Sequence, residues 1–130
     1  MDDFTIRALL TRTQSIAFVG VSPNPVRPSY FVFRYMQLRG YRCVAVNPRY
    51  AGAPLLGGTV YGALQDLPED AHVDMVDVFR RSEFVPEIYE AAHRHLPDLK
   101  TVWMQISVRH AEVAAQAKAA GYDVVQDRCP

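Results

Sequence analysis

Apolar residues run along this chain in short unbroken blocks, separated by stretches where they recur every three or four positions. The blocks are "IAFVG" (Ile16 to Gly20), "RCVAVN" (Arg42 to Asn47), "VDMVDVF" (Val73 to Phe79), "TVWMQ" (Thr101 to Gln105) and "DVVQD" (Asp123 to Asp127). Continuous blocks of this length predict strands buried on both faces. The intervening stretches predict helices. Asp2 to Thr13 sets Phe4, Ile6, Leu9 and Leu10 in a rough stripe behind an acidic first turn. Pro28 to Arg39 repeats Tyr30, Phe31, Phe33, Met36 and Leu38, and Gly40 follows where a helix end favours a left-handed residue. Ser82 to Leu96 opens with Ser82 as cap and Glu83 in its first turn, and the alanine-rich Val108 to Ala120 stops at Gly121.

Strands alternating with helices predict an α/β fold: a single Rossmann-like domain over residues 1–130, with a mainly parallel sheet flanked by helices on both faces. At 130 residues and 49% apolar content the chain suffices for one real core. Pro48 to His72 breaks the rhythm. It is rich in glycine and proline, with a hint of strand at Thr59 to Tyr61 and of a short helix near Ala63 to Leu67.

Fourteen Lys and Arg balance fourteen Asp and Glu, so the broad positive field of a non-specific nucleic-acid binder is missing and any anion must be held locally. Cys43 and Cys129 are the only cysteines, poor material for a disulfide framework or a metal site, as expected of a cytoplasmic protein. The acidic "MDDFTIRALL" lacks the apolar run of a signal peptide, and no stretch approaches the roughly 20 apolar residues of a membrane span.

In open parallel sheets ligands bind beyond the carboxyl ends of the strands. The first such end reads Gly20, Val21, Ser22, Pro23, Asn24, Pro25, Val26, Arg27, Pro28, with no second glycine. Its three prolines remove backbone N–H groups, so side chains must supply donors: the hydroxyls of Ser22 and Ser29 and the guanidinium of Arg27, at the start of a helix whose dipole attracts anions. Prolines alone describe only a rigid turn; the arginine beside two serines turns the reading toward an anion site. At the second strand end, Asn47-Pro48-Arg49 stands where NAD-binding folds commonly carry an acid for the ribose hydroxyls. A cation there suits a phosphorylated ribose, as in NADP or coenzyme A, although the tripeptide alone reads more simply as a turn with a solvated arginine. Arg80 and Arg81 end the third strand near a helix entrance, where two cations call either for an anionic ligand or for an internal ion pair with Asp74, Asp77 or Glu83.

Catalytic groupings are scarce. His93 and His95 point to different faces of a helix, His72 and His110 have no fixed partner, Arg128 stands next to the Cys129 thiol, and Trp103 reads as core.

The segments "GVSPNPVRPSY", "GYRCVAVNPR", "GGTVYGALQDLP", "VDMVDVFRR", "VWMQ" and "DRCP" together resemble the small stand-alone CoA-binding proteins of bacteria, whose domain is similar to the CoA-binding domain of the succinyl-CoA synthetase alpha subunit. The resemblance runs from about Ile16 to Pro130. It implies that Gly20, Ser22, Arg27, Ser29 and Tyr30 surround the CoA phosphates. It also implies that Asn47, Pro48 and Arg49 approach the adenosine with its 3′-phosphate, while Val78, Phe79 and Arg80 line the nucleotide from the third strand. Two departures stand out: relatives usually carry a glycine after the position of Gln105, where this chain reads Ile106, Ser107, Val108, and they tend to continue past "DRCP" with a few polar residues.

The expected function is non-catalytic binding of coenzyme A or an acyl-CoA, with no metal, no nucleic acid and no membrane, and with a protein partner left open. An NADP-binding minimal oxidoreductase subunit and an interaction module without ligand are the alternatives.

Overall fold

The computed structural model describes residues 1–130. Four helices, α1 (Asp3–Arg12), α2 (Pro28–Leu38), α3 (Val85–His95) and α4 (Ala111–Ala119), cover a sheet of seven strands. These are β1 (Ser15–Val19), β2 (Arg42–Val46), β3 (Pro54–Leu55), β4 (Gly58–Tyr61), β5 (Met75–Val78), β6 (Thr101–Met104) and β7 (Asp123–Val125). The strand order is β3-β4-β2-β1-β5-β6-β7, and every pairing is parallel except β3 with β4. The chain is thus the α/β, Rossmann-like domain its hydrophobic blocks predict.

The blocks are continuous because both faces of the sheet are sealed. On one face Ile16, Phe18, Met75, Trp103 and Val125 meet Ile6 and Leu9 of α1 and Phe33 and Met36 of α2. On the other, Ala17, Val19, Val76, Val78, Val102 and Met104 meet Val85, Ile88 and Ala92 of α3 and Val113 and Ala117 of α4. Alternation of side chains along each strand sorts them into these two layers. The central strands β1, β5 and β6 are buried at every residue, and fully burying a side chain such as Phe18 contributes about 1.5–3 kcal/mol.

Helix ends follow local chemistry. Asp2 caps α1, its Oδ1 accepting the Thr5 N–H at 2.8 Å, and Arg12 in the last turn donates to Asp123 at 2.5 Å. Gly40, at φ +99°, ends α2. Ser82 differs from expectation. It opens a separate 3₁₀ turn (Ser82–Phe84), and its hydroxyl accepts the Arg109 N–H at 2.9 Å, so α3 begins at Val85 with Pro86 in its first turn. The irregular stretch 48–72 holds the β3–β4 hairpin and 3₁₀ turns at Pro48–Tyr50, Leu64–Asp66 and Glu69–Ala71. No helix is long and apolar enough to cross a membrane.

The order of strands positions the site. From β1 the chain moves outward through β2 and β4, then returns to β5 on the opposite side of β1 and moves away again through β6 and β7. The connections leaving β1 and β5 therefore diverge, and a crevice opens between them at the carboxyl ends.

Candidate functional site

A cleft of about 680 Å3 occupies this crevice, lined by Gly20, Ser22, Arg27, Pro28, Ser29, Asn47, Pro48, Arg49, Tyr50, Phe79, Arg80 and Glu87. Three strand ends build it. Gly20 leaves β1 with its N–H on the Val46 carbonyl at 2.8 Å, and Phe79 donates to the Val19 carbonyl at 2.8 Å, so the ladder pins both loops. Gly20 has φ +95°, and a Cβ there would stand 2.9 Å from Arg80 Cδ and 3.1 Å from the Phe79 carbonyl carbon. Only glycine allows both that backbone and the arginine stem lying across it.

Beyond Gly20 the loop satisfies itself through side chains, as its prolines require. Ser29 Oγ accepts the Ser22 N–H at 3.0 Å, Ser22 Oγ accepts the Asn24 N–H at 3.1 Å, and Asn24 Oδ1 accepts the Val26 N–H at 3.2 Å. Helix α2 then starts on Pro28 with Arg27 as N-cap and no side-chain cap. Its amino end is left as an open partial positive charge beside the Arg27 guanidinium.

Asn47 explains why no acid stands at the end of β2. Its Nδ2 donates to the Val21 carbonyl at 3.1 Å while its Oδ1 accepts the Arg49 N–H at 3.1 Å, which clamps the β1 loop to the β2 loop. A carboxylate could do only half of this, because one of its oxygens would face the Val21 carbonyl. Asn47 is buried at 9% exposure and acts on the cleft through the loops it joins. Arg49 follows on the 3₁₀ turn, exposed, its guanidinium 5.5 Å from the Tyr50 ring centre. Arg80 lies 4.2 Å over the Phe84 ring.

The electrostatics of the cleft contrast with the neutral chain. Arg12, Arg42, Arg81, Arg94, Arg109 and Arg128 each pair with an acid, Arg81 choosing Glu83 at 3.4 Å. Arg27, Arg49 and Arg80 have no carboxylate partner, and Glu87 is the one acid on the wall. Beside the cleft, and sharing Pro48, Arg80 and Glu87 with it, is an annex of about 260 Å3 walled by Val19, Val46, Ala63, Leu64, Ile88 and Ala91. Three cations, a free helix end and an apolar annex are chemically suited to a polyanion that carries a flat or apolar group. A separate cavity of about 450 Å3 at the opposite end of the sheet, around His72, His95 and Asp98, contains no arginine or lysine.

Nine residues singled out from the sequence meet on the wall of the cleft: Gly20, Ser22, Arg27, Ser29, Asn47, Pro48, Arg49, Phe79 and Arg80. Tyr30 and Val78 do not. Tyr30 turns back half-buried against the layer under α1 and α2, and Val78 is fully buried in the layer under α3 and α4. Pro28, Tyr50 and Glu87 complete the wall. The first two neighbour expected residues, whereas Glu87 lies nine residues past the end of β5 and reaches the cleft only because α3 folds back over the sheet.

Other groups considered in the sequence have local duties. Asp74 accepts the Gln14 and Ser15 N–H groups, and His110 Nδ1 accepts the Val113 N–H at 3.2 Å as the cap of α4. His93 Nδ1 meets the Tyr122 hydroxyl at 2.7 Å. The Cys129 thiol is not activated by Arg128, which pairs with Asp3 instead, and burial raises its pKa. Burial also pushes Cys43 up to about 12. Asp77 lies fully buried beside the base of the site. Gln105 Nε2 donates to its oxygens at 2.9 and 3.0 Å, and burial lifts the carboxyl to about 8. No cluster of His, Cys, Asp and Glu is arranged to hold a metal ion.

Comparison with known proteins adds to this geometry. Residues 14–130 match the family described as "CoA binding domain". The Bacillus subtilis (strain 168) protein YneT is 35% identical over 124 residues, covering 95% of this chain and 87% of YneT. A solved structure from Thermus thermophilus, cell-free ID.343, superposes with a TM-score of 0.89 at 37% identity, covering 99% of this chain and 93% of that one. A more distant structure shares the fold alone. It is the dinucleotide-forming acetyl-coenzyme A synthetase 1 of Ca. Korarchaeum cryptofilum, with a TM-score of 0.65 at 20% identity over 84% of this chain and 24% of that one.

Proposed function

The chain belongs to the CoA-binding domain family, and from that premise we propose that its cleft holds coenzyme A or an acyl-CoA without transforming it. The observation that carries the proposal is the convergence of three arginines lacking acid partners on the point where strand order reverses. Coenzyme A offers three phosphates at two places, a diphosphate and a ribose 3′-phosphate, and the cations stand on two walls to match. Arg27 and the amino end of α2 serve the diphosphate. Arg49, at the end of β2, serves the 3′-phosphate. The apolar annex takes the adenine, and Glu87 accepts from its exocyclic amine.

The absence of chemistry is part of the same proposal. A nucleophile needs a base within hydrogen-bond reach, and His72, His93 and His110 are each engaged with Asp98, Tyr122 and a helix cap outside the cleft. Bound CoA would supply its thiol as the attachment point for an acyl group, while the protein's residues hold and orient the nucleotide half.

Dephospho-CoA tests the assignment. A charge-assisted hydrogen bond contributes about 1.5–3 kcal/mol, so the missing phosphate should weaken binding roughly 10- to 100-fold in calorimetry. Arg49→Ala should erase most of that difference, and Arg27→Ala should leave it. Equal binding of both ligands by the wild type overturns the role of Arg49. NADP belongs in the same titration, since a 2′-phosphate would suit Arg49 as well; tighter binding of NADP than of CoA replaces one reading by the other.

A further inference from the structure

Charge is divided unevenly along the chain. Residues 4–65 carry seven arginines and no acid, whereas twelve of the fourteen acids lie in residues 66–130. Two of those arginines, Arg12 and Arg42, reach acids of the second half, Asp123 and Asp70. Arg27 and Arg49 line the cleft. Arg7, Arg34 and Arg39 remain, all exposed on α1 or at α2 and all without a carboxylate partner.

Two of these flank an apolar stripe. On α2 the side chains of Phe31, Tyr35 and Leu38 are spaced by four and three residues, so they share one face, opposite the buried Phe33 and Met36. They are 60%, 53% and 76% exposed. Arg34 lies to one side of the stripe and Arg39 to the other, the latter with its guanidinium 5.8 Å from the Tyr35 ring centre. No acid occurs on α2. A helix apolar on both faces, with unneutralised cations along its outer one, is built for more than covering its own sheet.

We propose that the outer face of α2 docks an acidic amphipathic helix of another protein, its apolar side on Phe31, Tyr35 and Leu38 and its carboxylates on Arg34 and Arg39. Charge decides the occupant. A second copy placed by two-fold symmetry would set Arg34 and Arg39 against their own equivalents in a region that has no acid to separate them. Phosphates along a nucleic acid would satisfy the arginines and leave Leu38 unused. An acidic helix meets both features, and charge complementarity fixes its register. The cleft contacts only the amino end of α2, through Arg27, Pro28 and Ser29, so nucleotide and partner fit at the same time. The docking surface does not depend on what the cleft binds.

The test uses two synthetic helical peptides of about five turns, leucines and phenylalanines along one face, flanked by glutamates in one and lysines in the other. Titration of the full chain, followed by backbone-amide NMR, should show the glutamate peptide shifting α2 resonances from Phe31 to Arg39. Binding should weaken at least roughly 10-fold in Leu38→Ser. The charge-reversed Arg34→Glu/Arg39→Glu protein should lose the glutamate peptide and gain the lysine one. All three positions are exposed, and circular dichroism checks that the variants fold. Equal binding of both peptides, binding of neither, or shifts confined to other elements overturn the proposal. So does tighter binding to duplex DNA or to phosphatidylserine vesicles than to the glutamate peptide, or a dimer in sedimentation that Leu38→Ser abolishes.

Discussion

Two regions at the same carboxyl edge of the sheet are made of similar residues and do opposite things with them. Around the ends of β1, β2 and β5, Arg27, Arg49 and Arg80 face a cleft without acid partners. Around the ends of β6 and β7 both arginines are answered from within the chain. Asp127 takes the Arg109 guanidinium and the Ser107 N–H, both at 2.6 Å. Gln126 Oε1 accepts the His110 N–H at 2.9 Å, the Trp103 indole donates to the Arg128 carbonyl at 2.6 Å, and Arg128 reaches Asp3 at 2.6 Å. A cluster of arginine, serine and histidine is therefore no site by composition. The distinction lies in whether the fold supplies the counter-charge: where it does, the cluster fastens a tail, and where it does not, the charge stays open.

The sharpest way to break this contrast is to remove the unanswered charges together. Arg27→Ala/Arg49→Ala should cost CoA binding roughly 10²- to 10⁴-fold if the two charge-assisted contacts add. The thermal midpoint of the free protein should barely move, because neither guanidinium holds the fold together. A large loss of stability with affinity retained would mean that these arginines are structural after all.

Next in size is an effect of the buried acid beside the cleft. Asp77 keeps its proton up to about pH 8 in the folded chain, against an ordinary value of 3.8. Between those values the folded state binds a proton that the unfolded state has released, so Asp77 makes stability fall as pH rises from about 4 to about 8. Below that window it contributes no penalty. Asp77→Asn keeps the shape and an acceptor for Gln105 but cannot ionise, so it should remove the slope. The variant should gain on the wild type with increasing pH, by on the order of a few kcal/mol at alkaline pH. Parallel urea melts across the window check this; a difference independent of pH would show that the carboxyl ionises as readily in the fold as outside it.

Asn47→Asp probes the clamp between two cleft loops. The introduced carboxylate would face the Val21 carbonyl that Asn47 Nδ2 now serves, leaving that acceptor without its donor at about 1–3 kcal/mol. The loss should shrink in acid, where the introduced carboxyl is protonated and again donates. Urea melts at neutral and acid pH should show both, and an unchanged variant would remove Asn47 from any positioning role.

These contrasts were unequally visible in the sequence. Continuous apolar blocks gave away β1, β2, β5, β6 and β7 because burial on both faces leaves few polar positions to confuse the pattern. The edge hairpin β3–β4 was barely legible, since it carries few buried residues. The cleft was legible where its residues follow strand ends, as Gly20, Arg27, Arg49 and Arg80 do. Val78, expected to line the nucleotide, lies off the cleft wall because neighbouring strand residues point to opposite faces, and its face is sealed by α3. Glu87 was invisible, being brought in by the crossover of a helix. The departure noted after Gln105 has a backbone cause: Ser107 sits at φ +73°, a conformation glycine adopts freely, and Asp127 steadies it through the serine N–H.

The smallest expected effect comes from the answered region and sharpens the comparison from its other side. Arg128 holds the tail against α1 through Asp3, with the two side chains 44% and 85% exposed. Exposed pairs contribute about 0–1 kcal/mol and weaken with salt, so Arg128→Ala should lower the thermal midpoint slightly at low ionic strength and hardly at all at high. The Arg128 carbonyl still accepts from Trp103 in the variant, because that bond uses the backbone, so the tail stays docked. CoA affinity should remain within about twofold of the wild type. The same calorimetric titration used for the cleft arginines decides the matter on one scale. If Arg128→Ala weakens CoA as much as Arg49→Ala does, the tail region contributes to the ligand, and the division between answered and unanswered charge fails as a guide to where this sheet edge binds.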